Sequence, residues 1–236
     1  MANWQWSMTL PYRIFDMSPA ILLTQHDHYA IITLNRSAQL HRLARAMMEE
    51  LAEFIERLRE ADDLRVLIVT GAGGVFSAGA DLGEVATLDP ATAFDFSRRG
   101  QAILASFGEV APVTIAAIDG HCLGGGLDIA MSCDLRYATP RATFQHPGAK
   151  RGIITGWSGT QTLPRIVGID AARRLLVTGD RIDAEEALRI GLINKICEDA
   201  LNYSHQFAER IAAKFTQERL SEIKRGLEFN DWTKTR

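Results

Sequence analysis

The sequence predicts an α/β domain with a mostly parallel sheet, because strand-like and helix-like segments alternate along the chain. Residues 64–70 and 113–118 are apolar, β-branched runs with the composition of buried strands. Each run ends in a glycine-rich loop, and the second loop leads into a helix predicted over 127–133. Strand, loop and helix in this order are the repeating unit of an α/β fold.

The other elements are predicted by local patterns. Apolar residues at helical spacing indicate an amphipathic helix, and Asp183 with Glu186 forms a capping-box variant that indicates the start of another. In chain order, the predictions are an irregular aromatic-rich extension (1–20), a β-hairpin (21–24 and 30–34), the amphipathic helix (Leu40 to Leu58), a helix near 91–107, a helix from Asp183 to Gly191 and one long helix (202–227). Residues 21–197 are expected to form the core of the fold, and 198–236 a C-terminal helical segment.

The composition is typical of a cytosolic enzyme. The chain has 236 residues, enough for one domain that buries roughly 70–75% of its unfolded surface, and 47% of them are hydrophobic. A net charge of −3 argues against nucleic acid and anionic membranes as partners. No apolar run approaches the ~20 residues of a membrane span, and residues 1–8 lack the basic and apolar regions of a signal peptide. We therefore expect a cytoplasmic protein.

Disulfides and metal sites are not expected. The three cysteines, Cys122, Cys133 and Cys197, are few, odd in number and surrounded by apolar residues, so reduced core thiols are predicted. His26 and His28 form a candidate metal pair. Because no third ligand is apparent, a polar hairpin tip is the preferred interpretation.

A functional site is predicted where the second glycine-rich loop meets its helix. A helix that begins at a glycine triplet, Gly124 to Gly126, presents unpaired backbone N–H groups, and these suit an anionic oxygen. Asp128 follows within one turn. Backbone donors and a carboxylate at one helix start are the layout of a catalytic site. The alternative is that the glycines only allow close packing of helix on strand.

The first glycine-rich loop favours the catalytic interpretation. Its G-x-G-x-x-G spacing fails because Phe76 stands where the last glycine should be, and no Lys-Ser/Thr pair follows, as a phosphate loop would require. A small-residue loop remains, from Ser77 to Asp81, that can bring backbone donors against a ligand. Two such loops, each after a strand, predict an oxyanion hole with one N–H from each.

Two longer segments, 76–82 and 116–136, resemble the signature loops of the crotonase superfamily of enoyl-CoA hydratases and isomerases. The resemblance begins near Ile21 and fades after about Cys197. It continues through motifs at 144–147, 156–161, 163–168, 178–182 and 187–193. It implies a crotonase-like ββα spiral with a C-terminal helical region, assembled as trimers or hexamers. It also implies an acyl-CoA thioester substrate, as in fatty acid metabolism, with coenzyme A as part of the substrate and no separate cofactor.

The resemblance implies roles for five residues of the two loops. In this family two backbone N–H groups hold the thioester carbonyl in an oxyanion hole, and the matching positions are Ala80 and Gly125. The loop around Ala78, Asp81 and Leu82 matches the segment that binds the CoA adenine through backbone atoms.

The acid–base positions depart from the family pattern. A hydratase of this family uses two glutamates, and the matching positions hold Asp128 and Gly148. Hydration adds a water oxygen at Cβ and a proton at Cα, so one group must deprotonate water while a partner shares the proton traffic. With one carboxylate, and that one a methylene shorter, ordinary hydration is expected to be slow. An Asp at the first position also occurs in the dienoyl-CoA isomerase branch, whose further acidic groups are replaced here by Gly148 and Gly156.

His146 is a candidate for the missing base. It lies two residues before Gly148, and on a strand two such positions point to the same side. A packing role is the alternative. Trp157, in a glycine-flanked turn, is expected to wall the acyl pocket. Family members continue after a helix like 202–227 with one more helix over the site, so a pocket that is more open, or is closed by residues 1–20, is expected here.

Two classes of function remain open. The first is an acyl-CoA enzyme, whether isomerase, hydratase-like lyase, decarboxylase or thioester hydrolase, that stabilises an enolate in the oxyanion hole. The second is a catalytically weak acyl-CoA-binding protein of the same fold. The predicted hole and Asp128 favour an enzyme.

Overall fold

A six-stranded, mostly parallel sheet organises the computed structural model, which describes residues 19–59 and 61–228. The strand order is β1-β2-β4-β6-β8-β11; only the β1–β2 pair is antiparallel. Smaller sheets are formed by β10-β9-β7 and by β3-β5. The strands are β1 (Ile21–Gln25), β2 (Tyr29–Leu34), β3 (Arg42–Leu43), β4 (Val66–Gly71), β5 (Gly79–Ala80), β6 (Val113–Ile118), β7 (His121–Leu123), β8 (Leu135–Ala138), β9 (Thr143–Gln145), β10 (Ile182–Asp183) and β11 (Lys195–Ile196).

Helices cover both faces of the large sheet. They are α1 (Arg45–Arg59), α2 (Leu82–Val85), α3 (Pro90–Glu109), α4 (Gly125–Ser132), α5 (Gly159–Val167), α6 (Ile169–Thr178), α7 (Ala184–Arg189), α8 (Ala200–Ala212) and α9 (Gln217–Glu228). Ile32 and Leu67 face the cluster formed with α1, α3 and α4, whereas Ile31 and Ile68 face α8. Burial on both faces explains why the strands are continuous apolar runs. The predicted α/β fold is confirmed, and none of the described helices is long and apolar enough to cross a membrane.

The two glycine-rich loops lie side by side because the strands before them are neighbours. β4 pairs with β6 in parallel, with Thr70 opposite Ala117. The loops also bond to each other: the amide of Leu123 donates to the carbonyl of Ser77 at 2.9 Å, and the amide of Ser77 donates to the carbonyl of His121 at 2.9 Å. The predicted order of strand, loop and helix is therefore confirmed.

The predicted amphipathic helix begins later than expected. It starts at Arg45, whereas Leu40 (φ 54°) and His41 (φ 48°) lie in the left-handed region and Leu43 belongs to β3. Nδ1 of His41 accepts from the amide of Arg36 at 2.8 Å, and Nε2 pairs with a backbone carbonyl at 2.8 Å. These tertiary hydrogen bonds override the helical spacing of the apolar residues.

The predicted long helix over 202–227 is wrong, because the chain forms two helices, α8 and α9, there. The hydroxyl of Thr216 accepts a hydrogen bond from the first turn of α9. With the chain turned at this point, the ammonium of Lys224 lies 2.9 Å from a carboxylate oxygen of Asp134 and donates to two carbonyls between α3 and β6. The buried ammonium is thus fully bonded, and it docks α9 on the core.

Other predictions are confirmed within the described residues. The hairpin is β1–β2, with Ile21 opposite Leu34, and the helix near 91–107 is α3. Asp183 caps α7 by accepting from the amide of Glu186 at 2.8 Å. The predicted extension (1–20) and its closure of the pocket lie outside the described residues up to position 18.

Candidate active site

Ala80 and Gly125, the predicted oxyanion-hole donors, lie beside each other. Gly125 is the first residue of α4, so its N–H has no acceptor within the helix. The amide of Asp81 donates to the carbonyl of Leu43 in β3. Because successive backbone N–H groups of a strand point to opposite edges, the Ala80 amide is directed away from β3. A Cβ on Gly125 would lie 3.3 Å from the Ala80 nitrogen. The functional role of the two amides stays a prediction.

Glycines set the spacing of the two loops. A Cβ on Gly79, which has φ 87°, would lie 2.6 Å from the carbonyl oxygen of Leu123 and 2.8 Å from the nitrogen of Gly125. A Cβ on Gly126 would lie 2.6 Å from Cβ of Ser77. The glycines therefore do allow close packing, as the alternative interpretation holds. The same packing sets the distance between the two predicted donors, Ala80 and Gly125.

The side chain of Asp81 has a structural task. Its carboxylate caps α2 by accepting from the amides of Gly83 (2.8 Å) and Glu84 (3.3 Å). Ala78 is held by its amide, which donates to the carbonyl of Leu40 at 2.9 Å. Leu82 is 41% exposed at the start of the same helix. This loop thus offers backbone atoms and one apolar side chain to a ligand.

Asp128 and His146 come together in the interior. Asp128 is 1% exposed and His146 4% exposed, and Oδ1 of Asp128 lies 3.3 Å from Nε2 of His146. Oδ2 of Asp128 accepts from the hydroxyl of Thr155 at 3.1 Å. A Cβ on Gly159 would lie 2.9 Å from both Oδ1 and Nε2, so the start of α5 packs closely against the pair. The sequence analysis predicts functional roles for Asp128 and His146 but not for Thr155. Nothing in the sequence around Thr155 indicates that its hydroxyl bonds to Asp128.

Gly148 does not lie on a strand, so the argument that it points to the same side as His146 is wrong. β9 ends at Gln145, and Gly148 has helical torsion angles (φ −53°, ψ −50°) and opens a 3₁₀ turn. The turn is closed by the amide of Ile153, which donates to the carbonyl of Gly148 at 3.0 Å. A Cβ on Gly148 would lie 2.6 Å from the carbonyl oxygen of Ile153. This turn excludes a side chain at 148 unless its backbone moves.

Trp157 links the predicted oxyanion hole to a cavity. The indole is 4% exposed, and Cβ atoms on Gly125 and Gly100 would lie 2.5 Å from Cζ3 and 2.2 Å from Cδ1. A cavity of about 190 Å³ is lined by Arg45, Met48, Thr92, Asp95, Phe96, Arg99, Gly100, Ile103 and Trp157. Gly100 was missed, although a glycine inside a predicted helix costs about 1 kcal/mol relative to alanine and is a usable signal.

Buried polar atoms without a partner concentrate in this region. Within the described part of the chain, five buried side-chain N or O atoms lack a hydrogen bond, and four of them are Asp128 Oδ1, His146 Nε2, Trp157 Nε1 and Ser158 Oγ. Ser158 also has φ 132°, a strained value for a non-glycine residue. Since folded proteins bond nearly all such groups, the concentration of these four atoms makes this region the candidate site.

His41 is a further residue that the sequence analysis missed. It is fully buried, and its carbonyl accepts from the hydroxyl of Ser77 at 2.7 Å, so it holds the loop that carries Ala80. Burial lowers the pKa of the His41 imidazole. The ring bonds found in the structure require the neutral form, because Nδ1 accepts from a backbone amide.

His26, His28 and Cys133 stand apart from this chemistry. His26 stacks on Tyr29 with ring centroids 4.2 Å apart, and His28 lies 3.1 Å from a carboxylate oxygen of Asp63. No three His, Cys, Asp or Glu side chains in 19–59 and 61–228 are placed to hold a metal ion. Burial raises the pKa of Cys133 to about 12, so this thiol is not a nucleophile at neutral pH.

Known proteins similar to this chain include enoyl-CoA hydratases. The chain is 35% identical over 196 residues to the short-chain-enoyl-CoA hydratase of Clostridium acetobutylicum, which covers 82% of this chain and 75% of that protein. It is 36% identical over 197 residues to the crotonyl-CoA hydratase of Syntrophomonas wolfei, with 82% and 76% covered. The crystal structure of an enoyl-CoA hydratase from Bacillus anthracis matches with a TM-score of 0.85 at 32% identity, covering 89% of this chain and 83% of that one.

The structure of Pseudomonas aeruginosa DspI also matches with a TM-score of 0.85, at 35% identity, and covers 91% of this chain and 88% of that one. The model of the enoyl-CoA hydratase/isomerase family matches residues 25–225, which extends well beyond Cys197, where the sequence motifs fade. The predicted resemblance is confirmed: the chain belongs to the enoyl-CoA hydratase/isomerase family of the crotonase superfamily and has its fold.

Proposed function

We propose that the protein is an enzyme that acts on acyl-CoA thioesters through a stabilised enolate. The observation that carries this proposal is the approach of two strand-following loops, which sets the amides of Ala80 and Gly125 side by side one helical turn from Asp128. Family membership supports an acyl-CoA substrate.

The two amides would bind the thioester oxygen. When a proton leaves Cα, the electron pair moves onto this oxygen, so donors that are already in place stabilise the transition state more than the ground state. Gly125 begins α4, whose dipole adds partial positive charge at the same point. Removal of one such donor costs about 2.7–4 kcal/mol in other enzymes.

The rest of the site would orient the thioester. Backbone atoms of Ala78 and Asp81 would bind the CoA adenine, with Leu82 as an exposed apolar contact. Trp157 would form the wall along which the bound acyl chain extends from the oxyanion hole toward the cavity. Gly148 would supply only backbone there, because its turn excludes a side chain. The trimeric or hexameric assembly implied by the resemblance stays a prediction.

Hydration by two carboxylates is expected to be slow. Of the two acidic positions of the family, only the first retains a carboxylate, that of Asp128, and Gly148 has none. General acid–base groups typically contribute about 10²–10⁴-fold, so crotonyl-CoA hydration should lie below that of an efficient hydratase by a factor in this range. A wild-type kcat as high as that of efficient hydratases would contradict this expectation.

Turnover of a panel of CoA esters by wild type and Asp128→Asn tests the proposal. The panel contains enoyl-, dienoyl- and malonyl-type esters. At least one should be turned over by wild type, and roughly 10²-fold more slowly by the variant, with ester affinity nearly unchanged. If Asp128 only favours the helix start, worth about 0.3–1 kcal/mol, the variant should melt earlier yet keep its turnover. Tight binding of the esters without turnover of any would identify an acyl-CoA-binding protein instead.

A further inference from the structure

We infer that Asp128 and His146 act as one proton-transfer pair, in which the imidazole replaces the second carboxylate of the family and the pair moves a proton between two carbons of the acyl chain. This inference rests on the proposed function. It adds a second working group, and it favours a double-bond shift over the addition of water.

The two groups meet from different parts of the fold. Asp128 lies on α4, and His146 follows β9, which is brought alongside by pairing with β7. Oδ1 and Nε2 are 3.3 Å apart, and within the described residues neither atom has a hydrogen-bond partner. The side chains are 1% and 3% exposed. Leaving two buried polar atoms without hydrogen bonds costs free energy of folding, so their presence here indicates a functional role.

The surroundings hold the pair in one arrangement. The hydroxyl of Thr155 donates to Oδ2 of Asp128, which leaves Oδ1 as the oxygen next to the imidazole. Gly159 approaches so closely that any side chain there would contact both Oδ1 and Nε2. The absence of a side chain at 159 thus leaves the room that the carboxylate and the ring occupy next to the start of α5.

Among the described residues, the charged and titratable groups around Asp128 leave His146 as its one candidate partner for proton exchange. In the portion of the chain that the structure covers, His146 is the only ion-pair partner of Asp128. Burial and the Asp128 charge raise the pKa of the Cys122 thiol well above its usual value, so this thiol stays protonated. An imidazole 3.3 Å from the carboxylate is therefore the group placed to exchange a proton with it during turnover.

A pair that takes one proton from the substrate and gives it back suits the shift of a double bond in a 3-enoyl thioester, whose double bond lies between Cβ and Cγ. The proton leaves Cα to Oδ1, and the C–H electron pair moves into a dienolate whose oxygen is held by Ala80 and Gly125. The pair then returns the proton to Cγ: the electrons of the Cβ=Cγ double bond form the new C–H bond, those of the enolate double bond form Cα=Cβ, and an electron pair of the oxygen re-forms the C=O bond. Atoms and charges balance without water. Hydration would also require a held water, and one oxygen of the single carboxylate is already taken by Thr155.

The test compares 3-enoyl-CoA isomerisation with crotonyl-CoA hydration in wild type and in His146→Gln. Glutamine can donate to Oδ1 but cannot carry a proton through the cycle. Isomerisation should exceed hydration in wild type, and its kcat should fall roughly 10²-fold in the variant, with KM and melting temperature close to wild type. His121→Gln is the matched control: His121 is bonded to Thr143 outside the pair, and its variant should keep wild-type kcat.

Combining His146→Gln with Asp128→Asn gives a readout that a structural role would not move. Two residues of one working unit lose activity together, so the double variant should be no slower than the slower single variant. Should His146→Gln fail to fold, Gly159→Ala replaces it, because the added Cβ would lie 2.9 Å from both Oδ1 and Nε2 and would displace the pair. A folded His146→Gln or Gly159→Ala variant with wild-type kcat, or losses that multiply, would overturn the inference while leaving the proposed function intact. A wild-type protein that neither binds nor converts any CoA ester would overturn the proposed function itself.

Discussion

Placing a glutamate at position 148 is expected not to create a hydratase, although it restores the residue type that the family uses there. A Cβ on Gly148 would lie 2.6 Å from the carbonyl oxygen of Ile153, about 0.8 Å short of the 3.4 Å at which ordinary contact begins. The obstacle is backbone, and the same two residues are joined by the hydrogen bond that closes the turn. The turn must open before a carboxylate can enter.

The cost can be sized from overpacking in other proteins. Forcing atoms into filled space typically costs about 1–3 kcal/mol. For a chain of this length that corresponds to a fall in melting temperature of about 2–12 °C. We therefore expect Gly148→Glu to melt earlier than wild type and to hydrate crotonyl-CoA no faster, because the displaced turn does not present the new carboxylate to the acyl group.

Thermal melting and crotonyl-CoA hydration are measured on Gly148→Glu and on Gly226→Glu as the control. A Cβ on Gly226 meets no atom of the described residues within 4 Å, so the same substitution there should change neither quantity by much. A Gly148→Glu variant that melts like wild type and hydrates crotonyl-CoA about 10²-fold faster would refute the reasoning, because it would show that the turn accepts a second acid–base group.

Two further predictions concern residues that hold the site. Burial lowers the pKa of His41, so the stability that the neutral imidazole contributes is present above its unfolded pKa of about 6.5 and is lost as the pH falls. From about pH 8 to about pH 5, the melting temperature of wild type should therefore drop more steeply than that of His41→Gln. Equal slopes for the two proteins would contradict this prediction. Gly100→Ala should push the indole of Trp157 into the cavity, because the new Cβ would lie 2.2 Å from it, and should lower kcat/KM for long acyl-CoA esters more than for short ones. The control is Gly108→Ala, whose Cβ meets no described atom within 4 Å and which should leave the dependence of kcat/KM on chain length unchanged. An unchanged dependence in Gly100→Ala would show that the cavity does not take the acyl group.

The parts of the fold that the sequence predicted well depend on local pattern. The strands β4 and β6 are apolar runs because both of their faces are buried, and each ends at glycines that permit a tight turn. Such signals are complete within a few residues, so they need no knowledge of the tertiary structure. The two glycine-rich loops are predicted on the same basis, whereas their role as an oxyanion hole stays a prediction.

The parts that were missed depend on contacts between distant residues. The start of α1 is displaced because His41 bonds to Ala72, which no periodicity reveals. His146 reaches Asp128 because β9 pairs with β7, and not because of its spacing from Gly148, which lies in a turn. The steric role of Gly148 could not be predicted, since it depends on where the carbonyl of Ile153 lies.

The most direct test of the central claim is a structure of the wild-type protein with a saturated acyl-CoA ester, such as hexanoyl-CoA, which binds without reacting. The thioester oxygen should lie about 2.7–3.1 Å from the amide nitrogens of both Ala80 and Gly125, with Cα on the side of Asp128. A bound ester whose carbonyl is directed away from both amides would contradict the claim that this site stabilises a thioester enolate.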